Sequence, residues 1–168
     1  MASADAAVAI VHARGAADSV LLIRRAERDS DPWSGHWSFP GGRREPEDRD
    51  LLRTALRELE EECGIRLPGE RLERALPLAV ARRRVGRFLR VAPFLFHLDD
   101  EQPVRLDPQE AVEAVWLPLN VLRDPARHAL RPVPGLPPEM RFPAIDLNSV
   151  PLWGFTYRLI VDWLDLKA

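Results

Sequence analysis

A chain of 168 residues, 46% hydrophobic and 30% charged with a net charge of −2, suits one globular domain that buries roughly 70% of its surface on folding. The charge balance excludes both the basic excess of a nucleic-acid binder and the bias of a disordered chain. Cys63 is the sole cysteine, which excludes an intrachain disulfide and a cysteine-built zinc site and makes a cytoplasmic protein the expectation.

The N-terminal stretch carries no basic segment before its apolar run, and the run is too short for a signal or membrane-spanning helix. Ala6 to Ala13 reads instead as the first strand. Gly15 to Asp18 is a turn, and Val20 to Ile23 is a buried second strand expected to pair with the first. A charged stretch, Arg24 to Asp31, leads into a run where aromatic residues alternate with small polar ones up to Pro40. Trp33 and Trp37 read as packing residues, with a place on the border of the pocket as the alternative for either. His36 has two readings, a surface residue or a proton donor or phosphate contact.

Gly41 and Gly42 supply a turn at which backbone can approach a ligand closely. After an acidic loop, Leu51, Leu52, Ala55, Leu56, Leu59 and Cys63 recur at spacings of three and four, the pattern of a helix with one buried stripe. Glu58, Glu61 and Glu62 then stand at i, i+3 and i+4 and can converge on one point. Carboxylates at a helix C-terminus oppose the macrodipole, at roughly 0.3–1 kcal/mol each, unless a cation is present. A cluster of hard oxygen ligands suits Mg²⁺ or Mn²⁺. The same residues also fit a solvated charge run with an Arg57–Glu61 surface pair. Gly64 follows as a left-handed cap.

Leu67 to Arg74 reads as a polar connection, Leu76 to Ala81 as a strand, and Phe88 to Leu98 as a longer strand with Pro93 marking an edge or bulge. Together they make a hairpin with an arginine-rich tip. Arg82, Arg84 or Arg87 there is a candidate for holding substrate phosphates through forked contacts. A solvated hairpin end is the alternative. Asp99 to Pro108 is an acidic loop, and Glu110 to Leu119 is a strand and turn. Asn120 to Leu130 is predicted as a short helix, Arg131 to Pro143 as a proline-rich loop, and Val150 to Leu166 as a buried helix with a broad apolar face.

The run Arg57-Glu58-Leu59-Glu60-Glu61-Glu62-Cys63-Gly64-Ile65 resembles the second half of the Nudix box, G-x5-E-x7-R-E-U-x-E-E-x-G-U with U aliphatic. The first half departs from it. From Gly42 the acidic residue is Asp48, followed by eight residues rather than seven before Arg57. Phe39-Pro40-Gly41-Gly42, the acidic loop, Asp48 and Thr54-Ala55-Leu56-Arg57-Glu58 are together similar to the coenzyme A pyrophosphatase-like branch. So is Leu152-Trp153-Gly154-Phe155-Thr156, where Gly154 would let substrate come close. The upstream signature of that branch is broken, because Ile23 and Arg24 stand where its threonines begin and Asp31 stands where it has an arginine.

The resemblance implies an α/β fold, a Nudix-type α/β/α sandwich with a mixed central sheet, formed by residues 1–168 as a single domain. It implies Mg-dependent hydrolysis of a diphosphate linkage in a nucleoside diphosphate joined to another moiety, coenzyme A or a derivative among the candidates. Glu58, Glu61 and Glu62, with the Gly41 carbonyl, would hold Mg²⁺ or Mn²⁺. Arg57 would orient the cluster, and Glu58 or a late glutamate, Glu110 or Glu113, would serve as base or further ligand. The expected partner is a small-molecule diphosphate, with no nucleic acid and no membrane, and many family members are homodimers. An ADP-ribose or nucleoside diphosphate sugar pyrophosphatase, and a non-catalytic nucleotide-sensing module, remain open alternatives.

Overall fold

The computed structural model describes residues 4–15, 17–27, 35–82 and 88–166. The first two strands are β1 (Ala6–Arg14) and β2 (Asp18–Arg25), paired antiparallel as expected. Two short strands follow, β3 (Trp37–Ser38) and β4 (Gly41–Arg43), and then helix α1 (Leu51–Cys63). The next strands are β5 (Leu72–Ala75), β6 (Ala79–Arg82), β7 (Phe88–Leu98) and β8 (Ala111–Pro118). The chain closes with helix α2 (Leu119–Arg123), strands β9 (His128–Arg131), β10 (Phe142–Leu147) and β11 (Val150–Trp153), and helix α3 (Gly154–Leu164). Among the described residues no helix is long and apolar enough to cross a membrane.

β1 is the axis of a mixed sheet. Along one edge it pairs parallel with β7 from Ala6 to Ala13. Its other edge is shared, because residues 12–14 pair with β2 while residues 6–8 pair with β4. The sheet therefore splays at that edge, and the Gly41–Gly42 turn is seated in the opening. β1 and β2 alternate between the two faces, as strand geometry requires. Ala7, Ala9, Val11, Leu21 and Ile23 pack toward α1, whereas Ile10, Val20 and Leu22 pack toward α3 and the β9–β10–β11 sheet. The result is an α/β/α sandwich. Small side chains at Ala7 and Ala9 let α1 lie close over β1.

Trp37 is fully buried and its indole Nε1 donates to the Leu147 carbonyl at 3.1 Å, so it packs and also ties the two sheets together. Trp33 lies outside the described residues. Pro93 sits inside β7 opposite the gap between β5 and β6, and its carbonyl accepts from Leu76 N at 2.9 Å. Its missing N–H faces the break between two partner strands, where a ladder bond is dispensable.

Four expectations need correction. The polar connection at 67–74 contains β5, a short, largely exposed strand whose Leu-Glu-Arg-Ala sequence shows no apolar alternation. The strand expected from Leu76 starts later, at Ala79. The helix expected over Asn120 to Leu130 ends at Arg123, where Pro125 opens a 3₁₀ turn that delivers β9. The helix expected from Val150 begins at Gly154, because Val150–Trp153 form β11. The two-residue loop Asn148-Ser149, with φ of 50° and 66°, joins β10 to β11, the arrangement that tight hairpins with right-handed strand twist favour.

Candidate active site

α1 is capped at both ends by its own sequence. The Asp50 carboxylate accepts from Arg53 N at 2.8 Å, and Gly64, at φ 70°, donates its N–H to the Glu60 carbonyl at 2.9 Å. The helix has no acidic residue in its first turn and no basic residue in its last, so its C-terminal carboxylates lack the usual compensation. For Glu58 and Glu61 the compensation comes from one side chain, while Glu60 pairs with Arg66 at 2.9 Å. Arg57 Nη1 donates to Glu58 at 3.0 Å and to Glu61 at 3.1 Å, while Nη2 reaches the Arg43 carbonyl at 3.1 Å.

Arg57 is itself held by Asp48. Its Nε and Nη2 each bond one carboxylate oxygen at 2.9 Å, the bidentate geometry a guanidinium favours. Asp48 is buried and also accepts from Thr54 Oγ1 at 2.9 Å and from Glu45 N at 3.0 Å. The Arg57 hydrogen bonds, ahead of the opposing cost of burial, hold the Asp48 carboxyl well below the usual range. A segment of eight residues between the two thus still delivers the pair.

Glu62 is almost fully buried and accepts from Gly41 N at 2.8 Å. Burial first, and then the Glu58 charge, push its carboxyl up to about 8, with Glu110 adding and Gly41 N–H and Arg25 opposing. Burial likewise raises Glu58, against the pull of Arg57. The turn glycines are dictated by space. A Cβ on Gly41 would collide with the Ala7 carbonyl oxygen, and one on Gly42 would stand 2.5 Å from Glu58 Oε1.

These groups face a cleft of about 940 Å³ at the splay of the sheet. Gly41, Glu58, Glu61, Glu62, Glu110 and Gly154 all line it. Glu113 does not. It pairs with Arg24 of β2 at 3.0 Å and accepts from Asn148 Nδ2, in the loop between β10 and β11, at 2.9 Å. Arg82 ends β6, while Arg84 and Arg87 lie outside the described residues. Arg25 and Arg43 also line the cleft, and residue spacing gave no signal for either.

Among the described residues no three acidic or histidine side chains are already drawn together as a metal cage, since Arg57 engages both Glu58 and Glu61. The donor chemistry nevertheless fits a hard divalent cation. Buried Glu62 and half-buried Glu58 repel one another across the glycine turn with Glu110 nearby, and hard oxygen donors of this kind are what Mg²⁺ takes.

A family model for the NUDIX domain matches residues 3–135. An uncharacterised Schizosaccharomyces pombe protein, C14C4.10c, is 41% identical over 104 residues, covering 60% of this chain and 32% of its own. The human mitochondrial coenzyme A diphosphatase NUDT8 is 33% identical over 120 residues, covering 70% of this chain and 49% of its own. The chain thus spans half or less of the length of these two relatives. The NUDIX domain of Shewanella oneidensis NrtR, complexed with ADP ribose, superposes with a TM-score of 0.62 at 19% identity, covering 98% of this chain and 88% of that one. That likeness is one of fold. Since the matched family region runs from β1 through β9 and contains the glycine turn and the whole of α1, the chain belongs to the NUDIX domain family.

Proposed function

We propose that the chain is a divalent-metal-dependent hydrolase that cleaves the diphosphate linkage of a nucleoside diphosphate joined to another moiety, with coenzyme A or a derivative as the substrate. The observation that carries this reading is the gathering of Glu58, Glu61, Glu62 and Glu110 on one cleft beside a glycine turn where backbone leaves no room for a Cβ at Gly41. The coenzyme A assignment is supported by the similarity to human NUDT8. The likeness to an ADP-ribose-bound NUDIX domain favours a second reading, an ADP-ribose or sugar-nucleotide pyrophosphatase with the same machinery.

Glu58, Glu61 and Glu62, with the Gly41 carbonyl, would hold the cation. When bound, Mg²⁺ or Mn²⁺ would neutralise diphosphate charge and lower the pKa of a bound water below that of bulk water. Asp48 fixes Arg57, and Arg57 in turn fixes Glu58 and Glu61, so the carboxylates are positioned before substrate arrives. Gly41 and Gly42 let phosphate oxygens approach the backbone. Glu58 or Glu110 accepts the proton of the attacking water as its oxygen bonds to phosphorus and the bridging oxygen leaves.

Incubation with Mg²⁺ and coenzyme A, ADP-ribose, nucleoside diphosphate sugars, diadenosine polyphosphates and dNTPs, followed by mass spectrometry of the products, tests the reading. Release of 3′,5′-ADP and phosphopantetheine from coenzyme A supports the first assignment. Cleavage confined to ADP-ribose or a sugar nucleotide replaces it with the second. Folded protein that turns over nothing in the panel removes both and leaves a nucleotide-sensing module or a hydrolase of a diphosphate outside the panel.

A further inference from the structure

The cleft has a second end that the carboxylates do not use. In β11, Leu152 points into the core and is fully buried, whereas Trp153 faces the cleft together with Phe142 of β10 and His36. The ring centroids of Phe142 and Trp153 lie 5.1 Å apart at 48°, and those of His36 and Trp153 lie 5.6 Å apart at 57°. Among the described residues neither Phe142 nor Trp153 belongs to a hydrophobic cluster of the core, and both are only half-buried. Large aromatic rings ordinarily supply core area. Rings left against a cleft keep apolar faces available to a ligand. The next residue, Gly154, has φ +69°, and a Cβ there would meet nothing within 4 Å beyond its chain neighbours. The cleft is therefore open at Gly154, the residue that follows Trp153 and lines the same cleft.

We infer that Trp153, backed by Phe142 and His36, is a stacking platform for the nucleobase of the substrate. The inference rests on the reading of the chain as acting on a nucleoside diphosphate. The diphosphate meets the carboxylate end, and the base meets the aromatic end of the same cleft. Stacking needs only a π face, so the platform tolerates any base. Losing such a contact weakens binding by about tenfold or more.

Nucleoside monophosphates carry no diphosphate to cleave, so their binding reports the platform apart from catalysis. Calorimetric titration with AMP, GMP, CMP and UMP, each against ribose 5-phosphate, should show at least one nucleotide binding about tenfold more tightly than the base-free sugar. Trp153→Leu should abolish that difference, and Trp153→Phe should keep most of it. Equal binding of ribose 5-phosphate and all four nucleotides by the wild-type protein overturns the inference, whether or not the variants fold. So does a preference that survives in folded Trp153→Leu. A protein that binds bases through Trp153 but hydrolyses no diphosphate keeps this inference and loses the hydrolase reading. One that hydrolyses diphosphates without preferring a base does the reverse.

Discussion

Asp48 and Arg57 are joined by two parallel N–H···O bonds, each 2.9 Å long, between a buried carboxylate and a guanidinium that also touches Glu58 and Glu61. The pair couples the loop before α1 to the carboxylate cluster at its far end. Removing Asp48 takes away both of these bonds and deprives Thr54 Oγ1 and Glu45 N of their acceptor, while Glu58 and Glu61 still face the guanidinium, a loss of roughly 1–3 kcal/mol. Asp48→Ala should therefore lower the unfolding free energy measured in urea by about that amount and lower kcat as well, because Arg57 loses its anchor. A stability change below about 0.5 kcal/mol, the size expected of an ordinary surface substitution, would count against the coupling.

The same pair fixes a pH dependence. Arg57 depresses the folded-state value of Asp48 below its ordinary 3.8. For a depressed carboxylate the stabilisation is fully present above the unfolded value and is lost as pH falls through the folded one. The stability difference between wild type and Asp48→Asn should stay level from about pH 7 to about pH 5 and shrink below about pH 4. Denaturation curves across that range check it, and a difference that grows on acidification contradicts it.

Gly41 and Gly42 should respond differently to alanine. At Gly41 the new methyl meets the backbone of Ala7 and Val8 in the neighbouring strand, whereas at Gly42 it meets the carboxylate of Glu58. Backbone cannot yield cheaply, so Gly41→Ala should cost about 1–3 kcal/mol of stability. Gly42→Ala should displace Glu58, lowering kcat with a smaller stability loss. Thermal melts and turnover on the same two variants separate the effects.

Ser149 holds φ 66° in the β10–β11 turn, a conformation that costs a non-glycine residue roughly 1–2 kcal/mol. Ser149→Gly should raise stability by a few tenths to about 1 kcal/mol, after the extra unfolded-state entropy of glycine is set against the relieved strain. An unchanged or lower melting temperature would contradict the turn geometry.

Much of this was legible in the chain. The apolar stripe from Leu51 to Cys63, with Gly64 after it, defines α1 because an amphipathic helix with a terminal cap leaves a periodic trace. The Glu58, Glu61 and Glu62 spacing places the carboxylates on the cleft for the same reason. The partnership of Asp48 with Arg57 was not legible, since it depends on how a loop folds back and not on spacing. β5 is exposed and polar, so it leaves no period-2 pattern. β11 and α3 read as one apolar helix because their hydrophobic residues run on without a break. The change at Gly154 is a matter of backbone conformation, while Asn148-Ser149 between Leu147 and Val150 was the available sign of a hairpin. Glu113 and Glu110 look equivalent in sequence, yet strand pairing places Glu113 against Arg24 and only Glu110 on the cleft.

If the α1 carboxylates form a metal-dependent catalytic centre, Glu62→Gln is the variant that shows it most directly. The glutamine keeps the shape and an oxygen able to accept from Gly41 N and carries no charge to bury, so the fold should persist with a urea midpoint no lower than the wild-type one. Turnover of the diphosphate that the wild-type protein cleaves, measured with Mg²⁺ titrated to saturation, should fall by at least 100-fold in kcat, about 2.7 kcal/mol of barrier. A folded variant that retains more than half the wild-type activity contradicts the assignment.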